Sequence, residues 1–273
     1  MNQNLARIAD KVRFNIVDMI YKAKDGHPGP SLSCVDLLVC LYFACMKIDP
    51  SDPENPGRDR LILSKGHGCP ALYATLAERG YFPVDWLPTL RSLGSHLQGH
   101  PSISTVGIDM VAGSLGNGLP IGSGMAIAGI RTGRDFYTYV ITGDGELNEG
   151  AGWEGVIVSA QQKLDNLIVF VDNNGHQSGG HCRDVSGIEP IADKFAAFGW
   201  HVQEIDGHNH QQIIQAVQIA QATSGKPSVI VARTIKGKGV SYMEGNNAWH
   251  KAYPTREQWL QAAAELGGEA NEI

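Results

Sequence analysis

Two short polar motifs stand at the ends of apolar runs. Gly143-Asp144-Gly145 follows residues 137–142, and Asp172-Asn173-Asn174 follows residues 166–171. Each run reads as a buried strand of a parallel sheet, and residues 148–164 between them can hold a crossover helix. Parallel neighbours joined by a right-handed crossover end at one sheet edge, so Asp144 and Asn174 are expected to converge. One carboxylate, one amide oxygen and a nearby main-chain carbonyl form a hard oxygen set. It is too sparse for a calcium cage but suits Mg2+ shared with the phosphate oxygens of a ligand. Gly143 and Gly145 permit a sharp turn, and Gly145 would let a phosphate approach a backbone amide. Alone, Gly-Asp-Gly is as well explained by a strand-to-helix turn; the Asn-Asn pair at the next strand end makes the pattern specific.

Four of the histidines, His27, His67, His100 and His250, lie in turn contexts, most of them beside glycine or proline. A lone histidine is ordinarily a half-buried polar side chain. Four in turn contexts shift the balance toward a functional role. His96 and His100 have the spacing of a helical zinc pair, but Gly99 and Pro101 argue against a helix there. Lys236 and Lys238, set among glycines after a strand, lack the spacing of a P-loop and read as a structural turn carrying solvated lysines. Glu149 is explained by the macrodipole at a helix start as readily as by chemistry.

The elements that must position these residues are legible from periodicity. Residues 4–22 and 33–46 are amphipathic, giving a helical portion over about residues 1–60 that ends in a proline-bearing loop. Residues 61–63 are a short strand and 70–79 a helix. A glycine-rich stretch, 107–124, leads into a small-residue helix at 125–130; its spacing is wrong for a dinucleotide fingerprint. Residues 175–187 read as an exposed functional loop. Strands at 201–206 and 228–232 flank a helix at 211–222, so the second half alternates strand and helix. The expected fold is α/β, three layers, a mostly parallel sheet with helices on both faces, over a single domain of residues 1–273.

The chain of 273 residues is 42% hydrophobic, enough for a large core. Its net charge of −6 and lack of a basic run disfavour nucleic-acid and anionic-membrane partners. No apolar h-region or bilayer-length span is present, and five cysteines without a CxxC pair fit reduced thiols, so a cytoplasmic location is expected.

The ordered motifs together resemble the N-terminal half of transketolase, over residues 13–254. Besides the two strand-end motifs, which look like the thiamin diphosphate signature, they are Gly26-His27-Pro28-Gly29, Arg58-Asp59-Arg60, Ser64-Lys65-Gly66-His67 and Gln98-Gly99-His100-Pro101. Gly113-Ser114-Leu115-Gly116-Asn117-Gly118, Lys236-Gly237-Lys238-Gly239 and Trp249-His250 continue the likeness. The resemblance implies a thiamin diphosphate-binding fold of the diphosphate-binding type, with thiamin diphosphate and Mg2+ as cofactors. It implies metal ligands at Asp144, Asn174 and the main-chain carbonyl of His176. His67 and Gly145 would meet the diphosphate, Gly113 and Leu115 the aminopyrimidine and thiazolium region, and Glu149 would couple to the activating acid across a subunit interface. His27, His100 and His250 would line the channel and assist proton transfers on sugar hydroxyls.

In that family the activating acid lies in a following pyrimidine-binding domain, as do the arginines for the sugar-phosphate tail. The resemblance is therefore to one subunit of a split transketolase, active only with a C-terminal partner subunit and expected as a dimer of such pairs. The implied reaction moves a two-carbon ketol unit between a ketose phosphate and an aldose acceptor, in carbohydrate metabolism of the pentose phosphate kind. Alternatives are a sulfonated, branched or pyruvate-derived substrate, or a non-catalytic cofactor-binding partner. Lys251-Ala252 after His250, Ser114, and the loop Gly175-His176-Gln177-Ser178 depart from the family pattern and leave acceptor specificity open.

Overall fold

The computed structural model describes residues 2–269. Five parallel strands, β1 (Arg60–Leu63), β2 (Thr138–Gly143), β3 (Leu167–Asn173), β6 (His201–Asp206) and β7 (Ser228–Arg233), form a sheet of order β1-β2-β3-β7-β6. A second, two-stranded antiparallel ribbon joins β4 (His176–Gln177) to β5 (Gly180–His181).

Each central strand is apolar on both faces because both faces are covered, and successive residues divide between two cores. Leu61, Leu63, Tyr139, Ile141, Ile168, Phe170, Ile230 and Ala232 belong to one core. There they meet α1 (Asn2–Ala23), α2 (Pro28–Ser33), α3 (Val35–Cys40), α4 (Cys69–Arg79), α9 (His210–Ala222) and α10 (Arg256–Leu266). Ile62, Val140, Val169, Val171, Val229 and Val231 face the other, against α5 (Gly118–Arg131), α6 (Gly150–Gln161) and α8 (Ile191–Ala197); the short α7 (Cys182–Val185) closes the loop after β5. Phe170 is fully buried; truncating such a side chain to alanine costs about 3–5 kcal/mol.

α1 forms because Leu5, Ala9, Val12, Ile16 and Ile20 recur at three- and four-residue spacing and are all buried. α10 locks onto it: Trp259 stacks on Tyr21 at 4.5 Å and donates to Asp18 at 3.1 Å. A reciprocal Thr255–Gln258 capping box starts α10, and Gly267, at φ 68°, ends it.

Two helix boundaries differ from the sequence expectation. The segment 33–46 is not one helix. Cys34 leaves helical geometry, Ser33 turns its hydroxyl to Asp172 at 2.6 Å, and Leu41–Cys45 widens into a π-helical turn. The small-residue helix starts at Gly118, seven residues before the expected 125. Its first amide finds a partner in Ser64 Oγ at 3.1 Å, and Pro120 sits in its first turn, where a proline costs no hydrogen bond.

Among the described residues, no helix is long and apolar enough to cross a membrane. The five cysteines are free thiols.

Candidate active site

The loops leaving β2, β3 and β7 emerge at the same sheet edge and enclose a cavity of about 160 Å³. Asp144 follows β2, Asn174 follows β3, and Lys236 follows β7; all three line it, with Leu115, Gly145, Gln177, His67, His176 and His250. The convergence expected for Asp144 and Asn174 is what the parallel register produces, since Gly143 pairs with Asp172. Asp144 ties the two loops together by accepting from Gly145 N at 2.8 Å and Gly175 N at 2.7 Å.

Beneath the cavity lies a buried charged layer. Lys65, 2% exposed, donates to Asp172 and to Pro30 O at 2.6 Å. Asp172 also accepts from Ser33 at 2.6 Å and from Thr234. Burial works against both charges, but each holds the other ionised, with the ammonium pushed up and the carboxyl down. Glu146 is a second anchor missing from the sequence reading. Its carboxylate accepts from Ser64 Oγ, from Gly116 N at 2.9 Å and from Gly143 N at 3.0 Å, pinning the glycine-rich stretch to the β2 turn. Burial raises its pKa despite those donors.

Three histidines meet above this layer. The rings of His27 and His67 are 5.4 Å apart, His67 and His250 5.4 Å, and His27 and His250 5.8 Å. Burial, then nearby cations, lowers His27 and His250 from 6.5 to about 4 each. His67 is lowered further by the same causes, burial first and then Lys65. The cluster is therefore neutral imidazole at physiological pH, able both to accept and to donate. His100 stands apart at the exposed rim, its ring 3.6 Å from where a Cβ on Gly113 would lie. Gly113 itself is exposed and outside the cavity lining. Glu149 is exposed at the start of α6, its Cβ packed on Gly116.

Lys236 corrects the expectation of a solvated lysine. It is 1% exposed, and its ammonium reaches Asn247 Oδ1 at 2.6 Å and His250 Nδ1 at 3.0 Å. Burial, then Lys65, lowers its pKa to about 8. The available signal was its place one turn past an apolar parallel strand, at the edge where the other two strand ends carry Asp144 and Asn174. Lys238 does lie near the surface and pairs with Glu244 at 3.2 Å. The backbone before Lys236 is held from behind: His208 accepts from Ile235 N at 2.8 Å through Nε2 and reaches Asp36 at 2.7 Å through Nδ1. Asp36 also binds His210 at 2.7 Å and Arg13, and these partners outweigh its burial and hold its carboxyl well below the usual range.

The cavity fits an Mg2+–diphosphate group on its own chemistry. Asp144 is 2% exposed, and burial and the nearby Asp172 push its pKa up to about 6, an imbalance that a divalent cation would relieve. Gln177 lines the cavity with a buried Nε2 that has no hydrogen-bond partner, a donor waiting for an acceptor oxygen. A Cβ on Gly145 would come 2.7 Å from that of Gln177, so any larger residue there would push Gln177 from its place at the cavity.

A parallel α/β sheet with a carboxylate, an amide and a lysine converging at three adjacent strand ends is an arrangement suited to a metal-bound diphosphate. The family model described as transketolase, thiamine diphosphate binding domain, matches residues 4–272, and the chain belongs to that family. The chain is 48% identical over 264 residues to the 6-deoxy-6-sulfo-D-fructose transketolase subunit SqwG of Clostridium sp. MSTE9, covering 96% of each. It is 42% identical over 258 residues to an apulose-4-phosphate transketolase subunit from Phocaeicola vulgatus, covering 94% of this chain and 92% of that one. The solved transketolase of Leishmania mexicana superposes with a TM-score of 0.92 at 33% identity, covering 97% of this chain. This chain spans 41% of that one. The chain is thus a transketolase-type subunit.

Proposed function

We propose that this chain is the diphosphate-binding subunit of a split transketolase that transfers a two-carbon ketol unit with thiamin diphosphate and Mg2+. The observation that carries the reading is the meeting of His27, His67 and His250 beside a cavity whose floor holds Asp144, Asn174 and the unpaired Gln177 amide. When bound, thiamin diphosphate supplies the electron sink for carbon–carbon cleavage. Asp144, Asn174 and the His176 carbonyl would hold the metal. His67, Gly145, Gln177 and Lys236 would meet the diphosphate, with Gly113 and Leu115 toward the rings. His27, His100 and His250 would take and return protons at sugar hydroxyls.

The partner is a second polypeptide carrying the pyrimidine-binding domain, toward which Glu149 would face, in a dimer of such pairs. End-to-end alignment with proteins whose names call them subunits supports this. The substrate expectation is revised by the same relatives. A ketose phosphate of the pentose phosphate kind is less well supported than a sulfonated or branched sugar, because the relatives at 48% and 42% identity are named for 6-deoxy-6-sulfo-D-fructose and apulose 4-phosphate.

The test is to purify the tagged chain from its native extract with thiamin diphosphate and Mg2+, identify the stoichiometric partner, and assay ketol transfer by the pair. Transfer that requires both chains is expected. Sustained transfer by this chain alone would overturn the two-chain reading.

A further inference from the structure

Just outside the histidine cluster, two chain turns bring three charges together. Asp25 stands two residues before His27, and Lys251 directly follows His250. Arg91 donates through Nη1 to Asp25 Oδ2 at 2.7 Å, and Lys251 Nζ lies 3.9 Å from Asp25 Oδ1. The Arg91 guanidinium lies flat against Gly99, next to His100: a Cβ on Gly99 would come within 2.8 Å of its Cζ. One ion cluster therefore touches the segments carrying His27, His100 and His250.

A surface ion pair explains this arrangement poorly. Among the described residues, non-glycine residues with positive φ are Lys24, Arg91 and Lys163, and two of the three shape this rim. Lys24, at φ 52°, turns the chain out of α1 into Asp25, and Arg91, at φ 61°, is itself left-handed. Exposed ion pairs stabilise folds very little, so they give no return for backbone strain, whereas strain gathers where a side chain must be aimed. The donors are also underused. Among the described residues Asp25 is the one hydrogen-bond partner of the Arg91 side chain, which leaves most of a five-donor fork open, and the Lys251 ammonium is too far from Asp25 for a hydrogen bond. Within this cluster of three side chains, two cations against one carboxylate leave a single net positive charge. The side chains are 26% and 59% exposed for Arg91 and Lys251, accessible to a ligand entering from solvent.

We propose that Arg91 and Lys251, with Asp25 between them, form this chain's own contact for the terminal oxyanion of the sugar, a sulfonate or a phosphate, at the mouth of the histidine-lined site, in addition to the arginines that the family resemblance places on the partner subunit. A planar guanidinium fork and a mobile ammonium match the tetrahedral oxygens of either group. Asp25 sets the balance: it orders Arg91 while holding the net charge to one, a match for a monoanionic sulfonate and a weaker one for a phosphate dianion. The site's role in selecting a sugar rests on the ketol-transfer reading, but its affinity for oxyanions does not.

The test has two arms. In the first, the purified chain is titrated with methanesulfonate and with inorganic phosphate while the imidazole resonances of His27 and His100 are followed by NMR. Saturable shifts are expected, weakened about tenfold in Lys251→Gly, the scale of one charge-assisted hydrogen bond. Asp25→Ser should act oppositely, tightening both ions and phosphate more than methanesulfonate. Absence of saturable shifts, or variants that leave both affinities unmoved, overturns the rim site. In the second arm, the chain with its partner and cofactors is assayed on matched sugars ending in sulfonate, phosphate or a hydroxyl. The ratio of kcat/KM for anionic over uncharged sugar should drop about tenfold in Lys251→Gly, mainly through KM. An unchanged ratio overturns the assignment to substrate selection. Absence of transfer with every sugar, alongside intact oxyanion binding, overturns the ketol-transfer reading and leaves the oxyanion site standing.

Discussion

The ammonium of Lys236 lies 3.0 Å from Nδ1 of His250. A protonated lysine only donates, so Nδ1 must accept, which leaves the ring proton on Nε2. Lys236 thereby fixes the tautomer of an imidazole that stands against His27 and His67.

Lys236→Gln removes a cation that, after burial, is a main cause of the low pKa of His250. The pKa should then move up from about 4 toward 6.5. The acid limb of the kcat/KM profile of the reconstituted enzyme should rise by roughly one pH unit, the usual reach of one neighbouring charge. An acid limb that stays in place, with only the rate reduced, would assign Lys236 to ligand binding alone.

Asp144→Ala removes the charged member of the oxygen set. Mg2+-dependent binding of thiamin diphosphate, followed by calorimetry on the complex with its partner, should weaken by at least about 100-fold. Asn174→Ala should act in the same direction. Unchanged affinity in Asp144→Ala would sink the site assignment.

Gly118→Ala tests the packing behind the site. A Cβ there would lie 2.2 Å from Ser64 Oγ and 2.8 Å from Ser64 Cα, so backbone as well as side chain must give way. The expected cost is about 1–3 kcal/mol in urea unfolding, with loss of the Ser64–Glu146 hydrogen bond. Gly124→Ala, where nothing lies within 4 Å, is the control and should be neutral or slightly stabilising.

Acid should destabilise the fold well above the carboxylate range. In the unfolded chain His27 and His250 take up protons near 6.5; in the folded chain they do so only near 4. Between those values the unfolded state holds more protons, so stability falls as pH falls. Their stabilising contribution is complete above 6.5 and is lost as pH drops through about 4, with His67 acting in the same direction. Urea midpoints measured across that window should decline with acidification, and less steeply in His27→Asn. Asp144 and Glu146, whose pKa values burial raises, act in the opposite direction over part of that window, so the deciding readout is the comparison: identical slopes in the parent and His27→Asn would contradict the burial described for His27.

The sheet was legible because its strands are continuous apolar runs with polar motifs at their ends, and such runs have few other stable arrangements. Asp144 and Asn174 were legible for the same reason, being fixed by strand ends. Glu146 was not. As an acid at a helix start it has an adequate local explanation, and its role depends on Ser64 and Gly116, 82 and 30 residues away. Lys236 was misread because burial of a lysine depends on which loops fold over it, here those carrying Asn247 and His250. The start of α5 was missed because glycines argue locally against a helix, while Ser64 and Pro120 supply what its first turn needs.

The strand order has a further consequence. β7, the last strand in sequence, inserts between β3 and β6, and its end carries Lys236 to the cavity. A growing chain that has completed β1, β2 and β3 possesses Asp144 and Asn174 but lacks the wall opposite them. The pocket is therefore complete only once β7 is paired with β3, after β1, β2, β3 and β6 have all been made. A ligand that touches Asp144, Asn174 and Lys236 at once binds only where β2, β3 and β7 lie in register, so its binding energy is added to the stability of that pairing.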